Sequence, residues 1–196
     1  MRFISAIVAP LCFCAVQSSG KTIRIAVGKD GLVFSPNSVT ADRGDILEYQ
    51  FYKQQHSVAM GDFANGCTPA AQGGFFSGVM KTSRDGPKKK VFQVIVNSTE
   101  PMAFYCTVGS HCQNGMVGVI NPSSTDSLDK YKSTAKDAKE NKAPLAIFGG
   151  KIVKSSRNST TTSSGGSPSR TGGAGHAQAA PGSISVAALG FAVFLM

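Results

Sequence analysis

The feature that most constrains this chain is a short loop between two apolar runs that carries a cysteine, a histidine and a methionine at regular intervals. Cys106, His111 and Met116 follow a Cys-x4-His-x4-Met spacing. A thiolate, an imidazole and a thioether on one short loop are three of the four donors of a mononuclear copper site of the blue type. The fourth donor, a second imidazole, has to come from elsewhere in the chain.

His56 is the candidate for that fourth donor. The chain contains three histidines, and the third, His176, lies in a low-complexity tail. Taken singly, each candidate has an ordinary alternative as a half-buried or surface histidine, a core methionine, or a buried or disulfide-bonded cysteine. Their combination favours metal, because a thiolate, two imidazoles and a weak axial thioether form a geometry that suits both Cu(I) and Cu(II). The prediction is one copper ion held by His56, Cys106, His111 and Met116.

The five cysteines divide by position. Cys12 and Cys14 lie in an N-terminal apolar segment that we expect to be removed. If Cys106 holds metal, Cys67 and Cys112 remain, and a secreted setting favours a disulfide between them, with two free thiols as the alternative. That bond would tie the ligand loop to the Gly-rich loop around Cys67 and stiffen the site.

Both ends of the chain have the composition of targeting segments. A basic residue, a short apolar run and small residues predict a secretory signal peptide over residues 1–20. A region rich in Ser, Thr and Gly predicts a disordered stalk over 155–175, and the apolar end predicts a GPI-attachment signal over 176–196 that is removed on maturation, with a plain hydrophobic end as the alternative. The predicted attachment region contains Gly172, Gly173 and Ala174. We therefore expect a secreted protein at the cell membrane or wall surface, held to the membrane by a lipid anchor only.

Between these ends the chain alternates short β-branched or apolar runs with turns. This pattern predicts an all-β domain over 21–123, an antiparallel sandwich of about seven to eight strands. Residues 124–154 are expected to form a spacer, in which apolar residues at helical spacing indicate one amphipathic helix capped at 124–126, with a solvated spacer as the alternative. The apolar patch at 144–154 receives no assignment. Asn97 and Asn158 each begin an Asn-Ser-Thr triplet and are predicted N-glycosylation acceptors.

The charge of the chain argues against one class of partner. The formal net charge is +9, but from Lys21 to Ser123 ten Lys and Arg face seven Asp and Glu, so most of the excess lies outside the predicted domain. Aromatic residues do not alternate with basic ones, and we find no nucleic-acid-binding motif. We therefore expect no nucleic-acid partner, and we interpret the basic region as a stalk facing an acidic wall or membrane surface.

At these residues the sequence resembles the cupredoxins, and more closely the fungal extracellular, GPI-anchored cupredoxin-like proteins with serine-rich tails. The resemblance covers roughly residues 22–122. It implies a Greek-key β-sandwich with type 1 (blue) copper at one end, and His56, Cys106, His111 and Met116 match the ligand positions. The supporting motifs are His56-Ser-Val, Asn65-Gly-Cys-Thr-Pro69, Gly73-Gly-Phe-Phe-Ser-Gly78, Val94-Ile-Val-Asn97, Phe104-Tyr-Cys106, His111-Cys-Gln113 and Gly115-Met-Val-Gly-Val-Ile-Asn-Pro122.

The leading hypothesis is a monomeric one-electron carrier with an unknown redox partner, which would reach the metal through His111 across an apolar rim of Phe75, Phe76 and Val108. The alternative is copper binding or buffering, or a structural or adhesive wall protein without a redox partner. We do not expect an enzyme. Multicopper oxidases need many more histidines than three, and a lytic copper enzyme needs an N-terminal histidine, which cleavage near Lys21 does not leave.

Overall fold

The computed structural model describes residues 20–83 and 85–155. Apart from Gly20 and Ser155, the predicted signal peptide, stalk and GPI-attachment region lie outside the described residues, and so do Asn158, Gly172, Gly173 and Ala174. Asn97 is described and is exposed, and its glycosylation stays a prediction. The elements in chain order are β1 (Thr22–Val27), β2 (Phe34–Ser35), β3 (Ser38–Val39), β4 (Ile46–Phe51), β5 (Gln54–His56), β6 (Ala59–Gly61), β7 (Met80–Thr82), β8 (Lys90–Ile95), β9 (Met102–Tyr105), β10 (Val117–Ile120), α1 (Leu128–Lys136) and β11 (Lys151–Lys154).

The strands form two facing sheets and one small ladder. The larger sheet has the order β11-β8-β4-β1-β2, the smaller one the order β3-β10-β9-β6, and β5 pairs with β7. The predicted all-β sandwich is confirmed. The expectation of purely antiparallel pairing is wrong for two pairs, because β1 runs parallel to β4 and β3 runs parallel to β10. The residues between β1 and β4 visit both sheets through β2 and β3, and such a crossover returns the chain in the same direction.

The space between the sheets is filled by aromatic side chains. Tyr49, Phe92 and Phe104 have no exposed surface. The ring of Phe104 lies edge-on to Phe34 at 4.9 Å and to Tyr49 at 5.7 Å between ring centroids. Aromatic pairs in this geometry add stability beyond the area they bury. This core fixes β9, the strand that leads directly into the ligand loop.

The segment after the sandwich contains the expected amphipathic helix. In α1, Tyr131 and Ala135 are fully buried, and the Tyr131 ring lies 5.5 Å from that of Phe63. The helix is capped by Ser127, whose side chain accepts a hydrogen bond from Lys130 N–H, and not by a residue of 124–126. Among the described helices none is long and apolar enough to cross a membrane.

The apolar patch at 144–154 contains the last described strand, β11, and the segment that leads into it, and we call these residues the strap. Its strand β11 pairs antiparallel with β8, with Ile152 opposite Phe92, and the following Ser155 N–H donates to the carbonyl of Lys89 at 2.7 Å. Ahead of the strand, the backbones of Phe148 and Phe76 exchange two hydrogen bonds of 2.9 and 3.2 Å. Phe76 also bridges to β6, so the strap joins both sheets along one edge. The folded part of the described chain therefore continues to Ser155.

Candidate metal centre

The four candidate ligands lie at the ends of strands or in the loop that joins two of them. Cys106 directly follows β9, Met116 directly precedes β10, His111 lies in the loop between them, and His56 is the last residue of β5. The loop closes on itself, because Cys106 N–H donates to Met116 O at 3.1 Å and Met116 N–H donates to His111 O at 2.9 Å. These hydrogen bonds hold the backbones of Cys106, His111 and Met116 close together within the loop.

Three of the candidates converge. One ligand atom of each of His56, Cys106 and His111 lies within 4.8 Å of the other two, and Cys106 Sγ is 3.4 Å from His111 Nδ1. Met116 is fully buried and belongs to the same core cluster as Cys106. A thiolate and two imidazoles around one point form a donor set that suits copper better than it suits harder metals, which prefer oxygen ligands.

The hydrogen bonding of the two ring nitrogens of His56 indicates whether a metal ion fits the site. Its Nε2 lies 3.1 Å from the carbonyl oxygen of Lys53, and a carbonyl only accepts, so the ring proton belongs on Nε2. Its Nδ1 is then a bare lone pair, and it is buried without a hydrogen-bond partner among the described residues. A buried polar atom left unpaired is costly, and a metal ion on Nδ1 would satisfy it. The residues present fit a copper ion.

Burial favours the neutral form of both imidazoles and the protonated form of the thiol when no metal is bound. Burial lowers the pKa of His56, with the nearby His111 lowering it further, and burial also lowers the pKa of His111. Burial raises the pKa of the Cys106 thiol, and hydrogen bonds from Val108 and Ser57 oppose this. Two neutral imidazoles are ready to ligate at neutral pH, and metal binding has to displace the thiol proton.

Ser57 connects the two halves of the site and was not identified from the sequence. Its backbone N–H lies 3.4 Å from Cys106 Sγ, and its hydroxyl oxygen lies 2.8 Å from Thr107 Oγ1 and accepts from Thr107 N–H at 2.8 Å. Hydrogen bonds to a ligand sulfur tune a metal centre. The only signal in the sequence is that Ser57 follows the upstream histidine.

Gly28 lies against the back of His56. It has a φ of +75°, and a Cβ placed there would overlap the imidazole ring at Nε2 and Cδ2. A side chain at this position would therefore displace the ring and break its bond to the Lys53 carbonyl. Sequence reasoning did not single out this glycine, because it lies in a turn far from the ligand loop.

The variant Gly28→Ala is expected to lower copper affinity by about 10-fold or more, the usual effect of disturbing the support of a metal ligand. The backbone conformation adds about 1 kcal/mol of destabilisation for any L-residue. Gly31→Ala is the matched control, since Gly31 also has a positive φ, +99°, but open space around it. A copper titration of both variants checks this, and equal affinities would contradict the role of Gly28.

His111 is the most accessible of the three converging donors. It is half-buried, whereas His56 and Cys106 are 1% and 0% exposed. A groove beside it is lined by Gln54, Gln55, Lys81, Thr82, Val108 and His111. The expected apolar rim is wrong for Phe75 and Phe76, which are buried in the core, where the strap bonds to Phe76. Most residues that line this approach have polar side chains, Lys81 carries a positive charge, and Val108 is the apolar member.

The predicted disulfide is confirmed. Cys67 and Cys112 are joined with an S–S distance of 2.07 Å, and both are fully buried. Cys106 is the free cysteine of the described residues, which leaves its thiol available for metal. Cys112 directly follows His111, so the bond anchors the ligand loop to the Cys67 loop.

No protein-family model matches the sequence. The chain is 34% identical over 156 residues to the "Probable GPI-anchored cupredoxin-1" of Arthroderma benhamiae, an alignment that covers 79% of this chain and 77% of the relative. The chain is a cupredoxin. This cupredoxin is also 35% identical over 136 residues to an "Extracellular serine-rich protein" of the same fungus, covering 69% of the chain and 53%, about half, of that relative. The two names bear out the predicted location, secreted and GPI-anchored at the cell surface.

Solved structures similar to this cupredoxin include a purple cupredoxin from Nitrosopumilus maritimus and the oxidised plastocyanin from Dryopteris crassirhizoma. The first has a TM-score of 0.39 and 15% identity over 51% of this chain and 98% of the other. The second has a TM-score of 0.35 and 24% identity over 50% of this chain and 97% of the other. These scores are too low to add to the assignment, which rests on the sequence relative.

Proposed function

We propose that this cupredoxin holds one type 1 copper ion through His56, Cys106, His111 and Met116 and transfers single electrons at the cell surface. The observation that carries the proposal is the convergence of His56, Cys106 and His111 within 4.8 Å, with the buried Nδ1 of His56 left for a metal. Bound copper would supply a one-electron Cu(I)/Cu(II) couple.

The residues of the chain hold the donors in place before any metal arrives. The Lys53 carbonyl and Gly28 fix the ring of His56, and Ser57 N–H points at the sulfur of Cys106. The disulfide anchors the residue after His111. Donors fixed by the scaffold rearrange little between the two copper states, which is what rapid electron transfer requires.

The half-buried imidazole of His111 is the proposed path for the electron. The other converging donors are buried, so a partner in the groove beside Lys81 and Val108 approaches the metal most closely through His111. We take the carrier to be a monomer with an unknown redox partner, bound to the membrane by its lipid anchor only and without affinity for nucleic acid. The proposal includes no catalytic step.

The test is the visible spectrum of residues 21–155 loaded with Cu(II). We expect an intense thiolate-to-copper band that ascorbate bleaches and ferricyanide restores over repeated cycles, together with a reversible voltammetric wave. A colourless protein that binds copper weakly would overturn the four-ligand site. Copper that leaves the protein on reduction would overturn electron transfer and indicate copper capture instead.

A further inference from the structure

Two of the hydrogen bonds that hold the ligand loop come from outside the sandwich. The side-chain amide of Asn141, beyond α1, donates to the carbonyl oxygen of Cys106 at 3.1 Å and to that of Gly109 at 2.8 Å. The first acceptor belongs to the proposed thiolate ligand itself. The second lies two residues before His111. The amide thus spans most of the turn that separates two proposed copper ligands.

We propose that Asn141 is a positioning residue of the metal centre, which sets the curvature of the turn from Cys106 to His111. This inference rests on the proposed function. A planar NH₂ group donates along two fixed directions, so it satisfies both carbonyls only when they lie at one separation and angle. The carboxamide therefore acts as a template for the turn.

The two donated bonds are the hydrogen bonds that the Asn141 side chain makes with the described residues. Asn141 Oδ1 is buried and has no hydrogen-bond partner among the described residues. An unpaired buried acceptor costs stability, and an apolar residue of similar size would avoid that cost. The two donated bonds are the gain that offsets it.

Asn141 is itself held firmly, as a template has to be. The next residue, Lys142, donates its N–H to the carbonyl of Cys67 at 2.9 Å, and its own carbonyl accepts from Tyr105 Oη at 2.7 Å. Cys67 is disulfide-bonded to Cys112, and Tyr105 directly precedes Cys106. The segment is thus tied to both sides of the ligand loop, and supporting contacts of this kind hold ligands in a fixed geometry.

Loss of the amide would loosen the turn that shapes the site. Within that turn His111 N–H donates to Val108 O at 3.0 Å. This contact depends on the same curvature that Asn141 sets. We therefore expect a change in the sulfur environment, in the Cys106–His111 spacing and in the reduction potential.

The experiment compares Asn141→Ala and Asn141→Asp with wild-type residues 21–155. The Asp variant keeps the shape of the side chain but replaces the two N–H donors by an acceptor. Asn114→Ala is the control, because Asn114 lies on the same loop and, among the described residues, its side-chain amide donates only to the exposed Ser110 hydroxyl, at 3.1 Å. The readouts are amide hydrogen exchange at 107–111 in the metal-free protein, and the reduction potential, charge-transfer band and copper release of the loaded protein.

We expect both Asn141 variants to exchange the 107–111 amides about 10-fold faster, to release copper about 10-fold faster and to shift the band and the potential. The Asn114 control should match the wild type in hydrogen exchange, reduction potential, charge-transfer band and copper release. Unchanged exchange and potential in both Asn141 variants would overturn the proposal, and the Asp variant decides if the Ala variant does not fold. A wild type without a charge-transfer band would overturn the copper site, and the exchange data would still show whether Asn141 shapes the turn.

Discussion

The substitution Cys106→Ser is expected to abolish the visible colour of the copper-loaded protein and to lower its affinity for Cu(I) by more than about 100-fold. The expectation follows because disturbing a residue that only supports a ligand already costs 10- to 100-fold in affinity. Cys106 provides the only free thiol of the described residues, so no other thiol among them can replace it. Absorption spectroscopy and competition with a Cu(I) chelator measure the two effects.

The fold of this variant should survive. The serine hydroxyl is smaller than the thiol, and Ser57 N–H, which points at the sulfur at 3.4 Å, can donate to the hydroxyl instead. We expect the free energy of unfolding of the metal-free protein to change by no more than about 1 kcal/mol. Met116→Gln is the comparison variant, since it keeps the thiolate and should retain a band at a shifted wavelength. A blue band in Cys106→Ser would show that the thiolate is not a ligand.

Removal of the disulfide by the double change Cys67→Ala and Cys112→Ala is expected to destabilise the domain by about 4 kcal/mol. The two cysteines are 45 residues apart, and the value is the chain entropy that a cross-link of this span removes from the unfolded state. For a domain of this size the midpoint of thermal unfolding should fall by roughly 15 °C. Calorimetry of the metal-free protein gives both quantities.

Reduction of the disulfide in the metal-free wild type is the matched control, because it breaks the same bond without replacing either cysteine. Both samples should lose similar stability. The folded double variant should still turn blue with copper, since neither cysteine is a proposed ligand, but it should release the metal faster than the wild type. A midpoint of unfolding equal to that of the oxidised wild type would contradict a stabilising role for the bond.

The ligand loop could be predicted because its geometry is local. Cys106 and Met116 are the first and last residues of the loop that joins the antiparallel strands β9 and β10. Residues at these two positions are close in space in any hairpin, so their closeness follows from the sequence. His56 lies far upstream and was found for a different reason, the scarcity of histidine. The disulfide followed from the count of cysteines, once one thiol was reserved for metal.

The features that sequence reasoning missed depend on contacts between distant segments. In the sequence, Gly28, Ser57 and Asn141 look like ordinary turn or loop residues. Only the folded structure shows that each lies next to a proposed ligand. The strap was missed because its strand, Lys151-Ile-Val-Lys154, is short and begins and ends with lysine, as edge strands often do. Since the strap bonds to Phe76 along one edge of the sandwich, the prediction of an apolar rim failed together with it.

When a domain is anchored through its C-terminal end, a pulling force acts first on the last strand before the anchor. Here that strand is β11, at the edge of the larger sheet, followed by Ser155. Tension passes first into the β11–β8 ladder, next into the paired backbones of Phe148 and Phe76, and only then towards Asn141. None of the proposed copper ligands belongs to these pairings, so a pull at the anchor acts first on backbone hydrogen bonds that the proposed metal centre does not use.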